Sequence, residues 1–284
     1  MNFLKDILRG VLIGIANAIP GVSGGTMMVS MGIYDKIISA ITTISKQLKK
    51  SIITLLPYGV GMVLGIVGLS FVIEYLFDHF PLQTALLFIG LILGGIPMLL
   101  GHFKGKVISG TNIIVFLLFF VFMIFLQWLG EGNGEEAVLT LSFISLLQLF
   151  FIGVVASATM VIPGVSGSMM LMLLGYYNPI IEMITAIIRA LVSGDFSTLL
   201  TKVAIMIPFG IGVILGIYFI AKLIELLLKK KETLAYSGIL GLVAASPFVV
   251  LMQCGVKELN VMILLSSAVT FCIGFVISFF LGRE

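Results

Sequence analysis

Long apolar runs separated by short polar loops fill most of this chain. Runs of spanning length lie at 51–77, 84–100 and 112–129, and again at 198–228, 234–253 and 259–281. As helices rising about 1.5 Å per residue, each crosses a hydrocarbon layer of about 30 Å. Ahead of each set lies a shorter apolar stretch broken by Pro, Gly and Ser. Residues 10–19 reach only about 15 Å as a helix. The chain then breaks, and residues 26–34 run on to the charge pair Asp35-Lys36. Charges are costly at mid-bilayer and tolerated at the interface, so the pattern predicts a re-entrant hairpin over about 10–34. A second is predicted over about 152–177, its return leg ending at Asn178-Pro179, where helix is disfavoured. Interfacial helices are expected over 36–50 and 180–192. Ser142, Ser145 and Gln148 make a polar stripe at three-residue spacing, which predicts that 138–151 lies at the surface or against protein.

The two breaks are one phrase written twice. Ile19-Pro20-Gly21-Val22-Ser23-Gly24-Gly25 returns half a chain later as Ile162-Pro163-Gly164-Val165-Ser166-Gly167-Ser168. The likeness continues downstream. Pro57-Tyr58-Gly59-Val60-Gly61 with Gly65 matches Pro208-Phe209-Gly210-Ile211-Gly212 with Gly216, and Glu74 matches Glu225. The spaced glycines are small-xxx-small pairs that let helices approach closely. A hairpin returns to its own side and three spans change sides, so each half makes an odd number of crossings. The predicted fold is therefore an all-α polytopic membrane protein with an inverted structural repeat, 1–137 and 138–284. Each half is a re-entrant helical hairpin plus three transmembrane helices. Lys5, Arg9, Lys46, Lys49, Lys50, Lys104, Lys106, Lys229, Lys230, Lys231 and Arg283 fall on one side. Glu131, Glu135 and Glu136 fall on the other, with Arg189, Lys202 and Lys257 as a basic minority. The positive-inside rule then makes the N- and C-termini cytoplasmic.

Composition narrows the class further. The 284 residues are 60% hydrophobic and 10% charged, with mean hydropathy +1.25. Lipid, not water, is the solvent for such a surface. The net charge of +3 by itself points to no partner, and nucleic acid is not expected. Lys5, Asp6 and Arg9 leave no clean apolar core for a cleavable signal. Cys254 and Cys272 lack metal-type spacing and read as small apolar fillers, and His79 and His102 sit at loop edges. Neither a metal nor a cofactor is expected.

The chemistry lies at the breaks. Pro20, Gly21, Pro163 and Gly164 interrupt the helices. Ser23 or Ser166 caps the helix that follows, with N–H groups near Gly24, Gly25, Gly167 and Ser168 turned into the break. Ser23, Thr26, Ser166 and Ser168 add hydroxyls. Helix starts with free N–H groups attract anions, and two meeting from opposite faces suit one anionic group near the middle of the bilayer. Asn17 either binds the ligand or satisfies a freed backbone carbonyl. Arg9, at the mouth of the first hairpin, is the best cation to steer an anion inward; Arg189 is a candidate at the outer face. Glu74 and Glu225, near helix ends, are end-charges or ion-coupling groups. Met27, Met28, Met31, Met169, Met170 and Met172 flank the breaks and either fill core or line a groove for an isoprenoid tail.

These residues also carry a family resemblance. Gly10-x-x-x-Gly14-x-x-Asn17-x-Ile19-Pro20-Gly21-Val22-Ser23-Gly24-Gly25-Thr26, followed by Gly32-Ile33-Tyr34, resembles the signature of the domain-of-unknown-function 368 family. Ile162–Ser168 with Leu174-Gly175-Tyr176-Tyr177 is similar to its second motif. The resemblance spans essentially the whole chain. It implies a transporter of polyprenyl phosphate in the bacterial cytoplasmic membrane, a flippase that returns undecaprenyl phosphate, the lipid carrier of cell-wall precursors, to the inner leaflet. Alternating access by rocking of one half against the other would expose the site in turn. The chain would not be an enzyme. Two other readings stay open from the residues. A membrane phosphatase acting on undecaprenyl diphosphate would carry Pro-Gly-x-Ser-Arg-Ser, but Gly24 and Gly167 stand at the Arg position. A small-anion secondary transporter would use the same helix starts.

Overall fold

The computed structural model describes residues 3–18, 22–129, 136–255 and 259–282, and among these the chain is helical throughout. The first half contains α1 (Phe3–Ala18), α2 (Gly24–Ser30), α3 (Tyr34–Thr42), α4 (Leu48–His79), α5 (Pro81–Gly101) and α6 (Gly110–Leu129). The second contains α7 (Phe143–Val161), α8 (Gly167–Leu173), α9 (Tyr177–Ser193), α10 (Phe196–Lys230), α11 (Glu232–Gln253) and α12 (Val261–Gly282). The order is the same in both: a long helix, a break, a two-turn helix, a second bend and four more helices. α4, α5, α6, α7, α10, α11 and α12 are each long and apolar enough to cross a membrane. The chain is a multi-pass membrane protein.

Local chemistry sets the ends of these elements. Pro81 opens α5, where a missing N–H is no loss. Asp195 caps α10 by accepting from the Thr198 N–H at 3.1 Å. Gly32 and Gly175, both at positive φ, close α2 and α8. The N–H of Ile33 reaches the Met28 carbonyl and that of Tyr176 reaches Leu171, the same turn twice. After the second of these turns the axis swings by 110° between α8 and α9.

One sequence expectation is corrected here. Of the polar stripe, Ser142 and Gln148 are exposed and Ser145 is buried, and the Ser142 hydroxyl accepts from the Ser145 N–H at 3.2 Å and so caps α7. Residues 143–151 are therefore the first turns of a 19-residue helix. The helices ahead of the two breaks also begin earlier than the expected 10 and 152, at Phe3 and Phe143.

Packing follows the glycines. α1 lies parallel to α4 with Gly10 and Gly14 set against Tyr58 and Met62, and Gly61 and Gly65 set against Ile7 and Val11. α7 and α10 meet the same way, with Gly153 on Phe209 and Gly212 on Phe150. A Cβ at Gly61 or Gly212 would overlap a backbone carbonyl of the neighbouring helix, so only hydrogen fits. The last helices cross over: α6 packs along α11 and α12 along α5. The helices α5 and α11 run antiparallel. His102, at the end of α5, stacks on Tyr236 near the start of α11 with ring centroids 3.8 Å apart, while the start of α5 and the end of α11 line one cavity.

The two short helices have different surroundings. Every residue of α2 is buried, including Met27 and Met28, within a core built from α1, α3, α5 and α11. Only Met169 is buried in α8, and Met172 is exposed. Most of these methionines are thus core filling, and of the two short helices α8 is the one with an open apolar flank.

Candidate functional site

The two breaks touch. The Thr26 hydroxyl, fully buried, accepts from the Gly164 N–H at 2.7 Å. Beside it, a Cβ at Gly25 would lie 3.0 Å from the Pro163 Cα, so the start of α2 sits directly on the second break. Pro20 and Gly21 fall outside the described residues. Pro163 and Gly164 are buried, Gly164 at φ +88°, a region open to glycine.

At the first break the Gly24 and Gly25 donors are held locally. Ser23 accepts from the Gly25 N–H at 3.2 Å, and Asn17 accepts from the Gly24 N–H at 3.1 Å. Asn17 therefore holds a freed backbone N–H, not the carbonyl expected from the sequence. In the second break Ser166 makes no such cap. Its hydroxyl lies 2.9 Å from that of Ser168, and Gly167 and Ser168 are half-buried rather than sealed. At seven residues each, α2 and α8 carry little macrodipole. The chemistry available to an anion is thus mainly the hydroxyl set and the Gly164 N–H.

Tyr34 belongs to this site, though the spacing of motifs assigned it no role. Its buried hydroxyl donates to the Val161 carbonyl at 3.0 Å, capping α7 just before the second break. A carbonyl freed by a helix break needs such a donor inside a membrane. Tyr34→Phe is expected to lower stability by about 1 kcal/mol and to loosen the second break. Faster amide exchange around Val161 would report this.

Arg9 is placed differently from the expectation. It is not at an open mouth but 1% exposed, donating to Asp6 at 3.1 Å and to the Leu281 carbonyl of α12. Along α1 it stands about 12 Å from Asn17. Asp6, itself 2% exposed, also accepts from the Tyr58 hydroxyl at 2.7 Å and from Lys36 at 3.2 Å. This buried cluster joins α1, α3, α4 and α12; the readable hint was the Asp6–Arg9 spacing of three on one helix face. Arg189 is exposed on α9. Glu225 pairs with Lys229 one turn on. The Glu74 side chain lies outside the described residues.

Comparison with known proteins gives this geometry a family. Residues 13–201, which include both breaks, match the VCA0040-like family, described as undecaprenyl phosphate translocase-like. A polyprenyl-phosphate transporter of Staphylococcus aureus is 31% identical over 289 residues, covering 98% of this chain and 95% of its own. A polyprenyl-phosphate transporter of Vibrio cholerae is 25% identical, covering 85% of this chain and 75% of its own. No solved structure matches the chain. With two helix breaks joined inside a multi-pass helical protein, and a match running through both, this chain belongs to the VCA0040-like, undecaprenyl phosphate translocase-like family.

Proposed function

We propose that this protein is an undecaprenyl-phosphate translocase of the bacterial cytoplasmic membrane. It moves the lipid from the outer to the inner leaflet by alternating access, and the polyprenyl-phosphate transporters of Staphylococcus aureus and Vibrio cholerae are the relatives that support the substrate. The protein is an inverted repeat with both termini in the cytoplasm. The antiparallel course of α5 and α11 and the matched helix orders support that reading.

The observation that carries the proposal is the bond between Thr26 and the Gly164 N–H. It joins the breaks of the two halves through two groups that both suit a phosphate oxygen. When the breaks part, the Thr26 hydroxyl, the Gly164 N–H and the hydroxyls of Ser23, Ser166 and Ser168 surround the phosphate. The backbone of Gly24, Gly25 and Gly167 admits its oxygens closely. A phosphate leaving water needs such donors, because a bare charge in hydrocarbon is very costly. The open flank at α8, with Met172 exposed, leaves the isoprenoid tail in lipid.

Purified protein in liposomes is expected to speed the transbilayer movement of labelled undecaprenyl phosphate over empty liposomes. Thr26→Val keeps the shape, removes the acceptor and leaves a buried N–H unpaired. It is expected to cut that movement about ten-fold, equivalent to about 1.4 kcal/mol, while Thr26→Ser retains most of it. Movement no faster than in empty liposomes would reject the proposal.

A further inference from the structure

Away from the breaks, one cleft gathers cations and hydroxyls. It lies between α3 and the first turns of α4, encloses about 430 Å³ and is lined chiefly by Lys36, Ser39, Thr43, Lys50, Ser51 and Thr54, with no carboxylate in its lining. Lys36 is fixed in direction. Its ammonium donates to Asp6 at 3.2 Å and to the Tyr58 hydroxyl at 2.9 Å, and it stands 5.3 Å from the Tyr58 ring centroid. An ammonium has three donors. The side chain, 37% exposed, keeps the third for the cleft. Lys50 is exposed and sits in the first turn of α4, where a cation opposes the helix dipole. An anion in the cleft relieves that opposition.

The cleft is one-sided. At the matching places of the second half, Lys36 becomes Pro179, Lys50 becomes Thr201 and Thr54 becomes Ile205; Asp6 and Tyr58 become Leu149 and Phe209. Leu149, Met183 and Ile205 pack there with Phe209 into a purely apolar cluster. The matching place of the second half is built without these charges, and Lys50, which pairs with no carboxylate in the cleft, is not needed for the repeat architecture. The position is suited to a lipid headgroup, because the membrane-spanning part of α4 begins at Leu48. From the cleft, Lys36 leads within two residues to Tyr34, which caps α7 at the second break.

We propose that the α3–α4 cleft binds a phosphate group, as the monoester headgroup of an isoprenyl lipid at the membrane edge or as free phosphate. Two ammonium groups with the Ser39 and Ser51 hydroxyls match a group carrying about −1.5 to −2 charge at pH 7 with three acceptor oxygens; Thr43 and Thr54, which donate to the Ser39 and Lys50 carbonyls, wall the cleft. This is a second anion site, distinct from the breaks. As a waiting position on the transport route it rests on the proposed function; as a binding site it stands alone.

The test uses the full chain in detergent with Cys272→Ser, leaving the buried Cys254, and Thr54→Cys as the reporter of maleimide modification. A short-chain isoprenyl phosphate is expected to slow modification about ten-fold, as occupancy at about ten times Kd gives. The matching isoprenyl alcohol and phosphatidylglycerol, a phosphodiester, leave the rate unchanged, and Lys50→Gln removes the protection. Equal protection by inorganic phosphate assigns the site to the free ion, and protection by the isoprenyl phosphate alone assigns it to the lipid; either sustains the proposal. Protection by the alcohol, protection undiminished in Lys50→Gln, or none from any phosphate overturns it. Ser39→Cys is a second reporter should Thr54→Cys fold poorly. Liposome transport by the same protein separates the two ideas. Transport without protection sinks the cleft alone, and protection without transport sinks the translocase reading alone.

Discussion

A Gly61→Val chain is expected to yield no folded protein. The added Cβ would drive into the Ile7 carbonyl and lie 2.9 Å from both the Gly10 Cα and the Val11 nitrogen. All three neighbours are backbone, so no side-chain rotation relieves the clash, and α1 must leave α4. Overpacking against movable side chains costs about 1–3 kcal/mol, and a backbone clash exceeds that range. The first hairpin would be pulled off its support, and with it the Thr26 contact to the second break. Recovery of monodisperse protein in detergent measures the effect. Gly59→Ala is the matched control. Its Cβ meets nothing within 4 Å, and alanine is favoured in a helix by about 1 kcal/mol, so this chain should equal or exceed the parent. Similar recovery of both variants would disprove the backbone contact.

The second large effect is at Asp6. Its carboxylate is 2% exposed and is shared by Arg9, Lys36 and Tyr58. Asp6→Ala takes one acceptor from three donors on three helices, and breaking a buried ion pair from one side costs about 3–5 kcal/mol. Tyr58→Phe, which removes one donor and keeps the ring, should cost about 1 kcal/mol. Thermal unfolding in detergent ranks the two. Adding Lys36→Met to Asp6→Ala should cost much less than Lys36→Met alone, because the pair is coupled. Strict additivity would show that the cluster is not an energetic unit.

Much of this architecture was legible in the residues. Spanning length alone located helices at α4–α6 and α10–α12, because a bilayer of fixed thickness demands it. The doubled Pro-Gly-Val-Ser phrase marked the breaks, because Pro and Gly have few other reasons to recur between apolar runs. Three features were hidden for physical reasons. α7 was cut short because a serine cap and a serine surface stripe have the same spelling. Arg9 was placed at the mouth of the first hairpin because its long-range partner, the Leu281 carbonyl, is brought in by α12 from the far end of the chain. The crossing of α6 onto α11 and of α12 onto α5 could not be read. A helix apolar on every side carries no amphipathic stripe to name its neighbour. At the breaks, hydroxyls were legible as donors, but not that Asn17 and Ser23 already hold the Gly24 and Gly25 N–H groups.

The exchanged final helices also decide how the chain can be divided. Neither half closes on itself, because each lends its last helix to the other. The pairs α5 with α12 and α6 with α11 bind the halves together, while α1 packs on α4 and α7 on α10 within their own halves. Severed between α6 and α7, the chain would become two fragments that fold only in each other's company.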